Sequence, residues 1–171
     1  MMGANTDSLA RAPGLPKVLP SVLSAEDSDE VVEIAEREGW DLALDSVDHQ
    51  PAWERNFAKN RIGERVVIRM CNAISRTFPN VSLRGYKLYV RKFSRESRAS
   101  LPVHVDKSRL SVSLALNEGY EGGDLFYTDA EGNDQIVSLR KGDAFLFDGD
   151  LMHGVRPVRK GVRYSLVVIF N

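Results

Sequence analysis

The chain has 171 residues, 23 basic and 24 acidic side chains and a formal charge of -1. That length suits one domain with a buried core, and the even charge balance gives no footprint for nucleic acid or an anionic membrane surface. A single cysteine, Cys71, excludes an internal disulfide framework and fits a reducing, cytoplasmic setting.

Residues 1–16 read as a flexible leader, polar and Gly/Ala/Pro-containing through Pro13, with 17–171 as one domain. Neither a signal-peptide core nor a bilayer-length apolar run is visible, so a soluble protein without a membrane partner is expected. Lys17 to Leu23 is a short extended run. Ser24 then offers a helix N-cap before the acidic turn Glu26-Asp27. Val31, Ile34 and Ala35 form one apolar stripe, and Gly39 is the stop. A second helix is expected from about Gly63 to Phe78, where Val66, Met70, Ile74 and Phe78 recur every four residues and Pro79 ends the pattern. Cys71 falls within it as a small hydrophobe. Between the helices, Asp41 to Arg61 is polar, with Trp53 and Phe57 embedded. It reads as a long loop, either a solvated surface segment or a lid over a binding site.

From Tyr86 the texture changes to short runs rich in Val, Leu, Phe and Tyr between turn residues. Candidate strands are 86–93, 101–105, 110–116, 124–128, 135–139, 143–147, 154–158 and 162–170. Gly122-Gly123, Gly132, Gly142, Gly149 and Gly161 mark turns between them. The expected class is mainly β with flanking helices (α+β), a double-sheet jelly roll with two N-terminal helices packed on it.

The chemistry concentrates in His104-Val105-Asp106, His153 and Arg163. Two imidazoles and a carboxylate hold a non-haem ferrous ion on one face and leave its other positions open. If the triplet is a strand, positions i and i+2 put His104 and Asp106 on one side and Val105 on the other. A His-x-Asp triplet alone also arises by chance in an acid-rich chain; His153, after Leu151-Met152 and before Gly154-Val155, completes the set. The remaining histidine, His49, lies in a polar stretch and reads as a loop residue.

The run from Tyr89 to Phe170 resembles the catalytic core of the 2-oxoglutarate and Fe(II)-dependent oxygenases, in their prolyl/lysyl hydroxylase-like branch. The resemblance rests on His104-Val105-Asp106, Leu114-Ala115-Leu116-Asn117, Glu121-Gly122-Gly123-Asp124-Leu125-Phe126, Gly142-Asp143-Ala144, His153-Gly154-Val155 and Gly161 to Leu166. It implies a double-stranded β-helix and an enzyme in which His104, Asp106 and His153 are both catalytic residues and Fe(II) ligands. It further implies 2-oxoglutarate and O2 as cosubstrates and ascorbate as a reductant.

By the same resemblance Arg163 takes the far carboxylate of 2-oxoglutarate, a pairing that suits the planar guanidinium fork. Ser165, two residues on, adds a hydroxyl, and Tyr89 is the candidate phenol donor. An ordinary strand-end ion pair remains the alternative for Arg163, and a core tyrosine satisfied elsewhere the alternative for Tyr89. Leu114, Leu125 and Val155 are expected in the core.

Prolyl hydroxylases of the branch often carry lysine at the Arg163 position, whereas lysyl hydroxylase-like members carry arginine. The carboxylate of Asp106 stands where related halogenases leave room for halide, which favours hydroxylation. The expected reaction is hydroxylation of an unactivated C–H bond, with release of succinate and CO2. The substrate partner is a peptide or protein bearing a prolyl or lysyl side chain. A free amino acid or small metabolite is the alternative, followed by a non-catalytic jelly-roll binding module.

Overall fold

The structure is a computed structural model that describes residues 14–171. Most of the leader expected over residues 1–16 therefore lies outside the described residues. Strand β1 (Lys17–Leu19) leads into helix α1 (Ala25–Glu38). The side chain of Ser24 caps α1 by accepting from the Asp27 N–H at 3.1 Å, and Gly39 closes the helix at φ 81°. Then come β2 (Asp41–Leu44), β3 (Pro51–Asn56) and α2 (Arg61–Thr77). Helix α2 begins two residues earlier than its apolar period implies, because Asn60 accepts from the Ile62 N–H at 3.0 Å and caps it. The C-terminal half holds β4 (Tyr86–Phe93), β5 (Leu101–His104), β6 (Leu110–Ala115), β7 (Glu121–Gly122), β8 (Leu125–Thr128), β9 (Asp134–Val137), β10 (Ala144–Phe147), β11 (His153–Val155), β12 (Val158–Lys160) and β13 (Arg163–Phe170).

These strands form a seven-stranded sheet in the order β1-β10-β6-β13-β4-β3-β2, a four-stranded sheet β5-β11-β8-β9 and a small pair β12-β7. The molecule is thus mostly β with two helices. One face of the large sheet carries Leu88, Val90, Val112, Leu114, Leu146, Leu166 and Val168, packed with Val31, Val66, Met70 and Ile74 of the two helices. Period-2 alternation turns their neighbours to the opposite face. There Phe93, Phe145 and Phe147 join Leu101, Leu125 and Val155 of the smaller sheet in a second apolar cluster between the sheets.

Two expectations are corrected. Residues 41–61 are no loop: β2 and β3 form an antiparallel hairpin that extends the large sheet, pairing Leu42 with Trp53 and Glu54 with Arg91. Its polar residues are accommodated by cross-strand ion pairs and by the edge position of β2, which composition alone conceals. The strand expected over 101–105 ends at His104, so Asp106 lies in the irregular connection beyond it, with its carboxylate still turned to the same cluster as His104.

Candidate metal centre

His104 closes β5 and His153 opens β11, and the antiparallel register sets the two directly opposite each other with ring centroids 4.2 Å apart. Each ring is oriented from behind. His104 Nδ1 donates to the Pro102 carbonyl and His153 Nδ1 to the Leu151 carbonyl, both at 2.9 Å. A carbonyl can only accept, so the proton resides on Nδ1 and each Nε2 presents a lone pair. Asp106 is carried in by backbone contacts: its N–H and that of Lys107 donate to the Gly149 carbonyl at 2.9 and 3.0 Å. A side chain on Gly149 would lie 2.2 Å from the Ser108 carbonyl oxygen, so this close approach requires glycine.

Asp106 Oδ1 stands 3.4 Å from His104 Nε2 and 3.7 Å from His153 Nε2, while Oδ2 accepts from Ser111 Oγ at 2.6 Å. The three donor atoms lie within 4.8 Å of one another. Burial works against the Asp106 carboxylate, but the adjacent imidazoles of His104 and His153 and the Ser111 hydroxyl outweigh it and hold the group below its usual range. Burial, with the neighbouring His104 charge, pushes His153 down. A divalent cation needs an ionised carboxylate and imidazole lone pairs as donors, and the N2O set gathered here fits ferrous iron.

A narrow cavity of about 40 Å³ joins this cluster to Tyr89, Arg91, Arg163 and Ser165. Arg163 opens β13, is 3% exposed and donates from Nη1 to Ser165 Oγ at 3.0 Å. Burial lowers its pKa. Its stem passes close to Gly123, where a β-carbon would come within 2.8 Å of Val158 Cγ2 and 3.2 Å of Arg163 Cδ. Gly122 and Gly123 also hold φ of 73° and 68°, so the pair serves both the turn and the passage of the arginine. Burial pushes the Tyr89 phenol up, keeping it a neutral donor.

The cavity meets an open groove of about 610 Å³, floored by β2, β3 and β4, with Tyr89, Arg91, His104 and Asp106 lining both. A larger depression of about 760 Å³ lies between the helices at Glu30, Arg61 and Arg65, away from the donor cluster.

The structure thus brings together His104, Asp106, His153, Arg163, Ser165 and Tyr89. His49 stays in the β2–β3 turn at φ 57° and lines neither chamber. Leu114 belongs to the helix-backed core, whereas Leu125 and Val155 pack between the sheets and also form cavity wall. Sequence reasoning missed Asp45 and Glu54. Both flank Arg91, Asp45 Oδ2 at 3.1 Å from Nη2 and Glu54 Oε1 at 2.8 Å from Nε. The available signal was the alternation in β4, which puts Arg91 on the Tyr89 face; the hairpin that supplies its partners was hidden by its polar composition.

Residues 90–171 match the profile of the 2OG-Fe(II) oxygenase superfamily. A PKHD-type hydroxylase from Delftia acidovorans is 46% identical over 61 residues, which make up 34% of this chain and 26% of that protein. Human procollagen-lysine,2-oxoglutarate 5-dioxygenase 2 is 34% identical over 99 residues, 54% of this chain and 13% of that protein. The chain spans about a quarter or less of the length of these curated relatives. The crystal structure of a Pseudomonas putida prolyl-4-hydroxylase superposes with a TM-score of 0.72 over 91% of each chain at 20% identity, a likeness of fold.

Proposed function

We propose that the chain, whose residues 90–171 match the 2OG-Fe(II) oxygenase superfamily, belongs to that superfamily and is a 2-oxoglutarate-dependent dioxygenase that hydroxylates a peptidyl prolyl or lysyl side chain. The reading is carried by the convergence of His104 Nε2, His153 Nε2 and Asp106 Oδ1 at one point of the cavity. In this reading residues 17–171 act as one dioxygenase domain, and the two larger sheets are the walls of a double-stranded β-helix. The lone, half-buried Cys71 accords with a cytoplasmic setting.

His104, Asp106 and His153 would hold Fe(II). The chemistry supplied there by iron, 2-oxoglutarate and O2 is oxidative decarboxylation to succinate and CO2, coupled to C–H hydroxylation, with ascorbate as a reductant. The protein contributes binding, orientation and exclusion of water. The Nδ1 bonds to backbone carbonyls fix both imidazoles, and Ser111 steers one Asp106 oxygen away so that the other faces the ion. Arg163 and Ser165 would receive the far carboxylate in a site with little water, where a charge-assisted pair is strong. Tyr89 would donate from its phenol beside them. Phe147, its ring 4.4 Å from His153, stacks on Phe145 and packs against the donor cluster.

The groove supports a peptide substrate over a free amino acid. It reaches from the donor cluster along β2 and β3, with the small side chains Ala43, Ala52 and Ala58 along it, and its volume exceeds what one amino acid fills. The test is succinate release from purified protein given Fe(II), ascorbate, 2-oxoglutarate and peptide pools or free amino acids. Substrate-stimulated succinate is expected with peptides. No succinate above the enzyme-free control would overturn the assignment.

A further inference from the structure

On the site side of the large sheet, strand register arranges side chains in rows. Phe93 faces Arg163; the next row is Glu54, Arg91 and Ser165; the next is Asn56, Tyr89, Val167 and Ser113; the last is Lys87, Ile169 and Ser111. Ser111 binds Asp106, so the metal cluster sits at one end and Arg163 at the other. Rows on one face are about 7 Å apart. Arg91 falls between the two ends.

This arginine is 9% exposed and lines both the cavity and the groove. Its Nε and Nη2 both donate to Glu54 Oε1, and Nη2 lies 3.1 Å from Asp45 Oδ2. Nη1 has no hydrogen bond to any described residue and is not among the sealed polar atoms. Glu54 thus hydrogen-bonds the guanidinium and Asp45 pairs with it by charge, while one fork nitrogen keeps no hydrogen bond to a described residue.

Resting on the dioxygenase reading above, we infer that Arg91 is a second binding residue for the cosubstrate dianion. Nη1 donates to the 2-oxoacid end while Arg163 holds the far carboxylate, and Glu54 and Asp45 fix the guanidinium in that pose. A purely structural Arg91 would pin the β2–β3 hairpin and leave cosubstrate affinity alone.

The experiment is calorimetry of 2-oxoglutarate and of pyruvate, which lacks the far carboxylate, binding to the full chain loaded with redox-silent Mn(II). Arg91→Lys keeps a positive charge against Glu54 and Asp45 but removes the free fork nitrogen. It should weaken both ligands in parallel, about tenfold, with Mn(II) affinity unchanged. Arg163→Met should weaken 2-oxoglutarate and spare pyruvate. An Arg91→Lys protein that binds 2-oxoglutarate as the wild type does, or loses affinity for 2-oxoglutarate alone, overturns the inference.

Should Arg91→Lys fail to fold or lose Mn(II), Glu54→Gln replaces it. That variant loosens the guanidinium, so a smaller loss of 2-oxoglutarate affinity at unchanged Mn(II) affinity is expected, and no loss overturns the inference. The underlying dioxygenase reading fails separately, if the wild type binds no 2-oxoglutarate or Arg163→Met binds it undiminished.

Discussion

The two faces of the seven-stranded sheet are made by the same strands and do opposite work. In β6, Leu110, Val112 and Leu114 pack toward the helices while Ser111 and Ser113 point to the site, yet all five are buried. In β13, Leu166 and Val168 alternate with Arg163 and Ser165 in the same way. The helix-backed face gathers stability from apolar area, which is non-directional and scales with what is buried. The opposite face buries charges, which stabilise little and hold position only when each is paired. Stability and chemistry are thereby separated across the thickness of one sheet, and substitutions on the two faces should have different signatures.

The largest effect is expected on the site face. His104→Ala removes one of three donors and leaves the helix-backed core untouched, so Mn(II) binding and succinate formation should both be abolished while urea unfolding stays near wild type. Retained metal affinity in that variant would sink the donor assignment.

The converse substitution is Met70→Ala. Met70 is fully buried against both helices and the sheet, and truncation there should cost about 2–5 kcal/mol through lost transfer energy and the cavity left behind. The surviving folded protein should bind Mn(II) with wild-type affinity. A parallel loss of metal affinity would show that the faces are coupled instead of separate.

Acid should reveal the same division. The folded pKa of His153 lies below its unfolded value of about 6.5, so the unfolded chain takes up the proton first as pH falls. That contribution to metal-free stability is complete above about pH 6.5 and is lost on descent toward the folded pKa. Asp106 is also lowered, and its contribution holds above about pH 3.9 and disappears below. Urea unfolding at about pH 7.5 and 5.5 should therefore show metal-free wild type losing more stability than His153→Gln. Equal losses would refute the assignment of that window to His153.

How legible each face was in the sequence follows from the kind of signal it leaves. The helix-backed face announces itself through period: Val66, Met70, Ile74 and Phe78 foretold α2, and Ser24 and Gly39 marked the ends of α1. The donor residues were legible because metal ligation restricts residue type. The β2–β3 hairpin was not, because its sheet-forming partners are charges such as Glu54, matched only when Arg91 arrives from another strand. The backbone anchor of Asp106 was not legible either, since the Gly149 carbonyl that receives its N–H is distant in sequence. Local pattern reveals what neighbours along the chain decide; the ion pairs and backbone contacts that aim the site are decided across strands.

The finest test uses adjacent residues. Arg163 and Tyr164 are neighbours in β13 and point to opposite faces, the first into the cavity and the second toward α1. Tyr164 donates its phenol proton to Glu36, which also receives Lys92 Nζ at 2.7 Å and Trp40 Nε1 at 3.3 Å, and its ring stacks on Trp40 at 6.1 Å. Burial and the Glu36 contact push the Tyr164 phenol up, so it remains a neutral donor throughout the working range. Tyr164→Phe keeps the stacking and removes one hydrogen bond to a carboxylate that water partly screens, a loss of about 1 kcal/mol in urea unfolding. Because this contact lies on the far side of the sheet, 2-oxoglutarate affinity of the Mn(II)-loaded protein should not move. A change there as large as that produced by Arg163→Met would mean that a strand transmits displacement directly through its backbone, and that the separation of the two faces is one of composition alone.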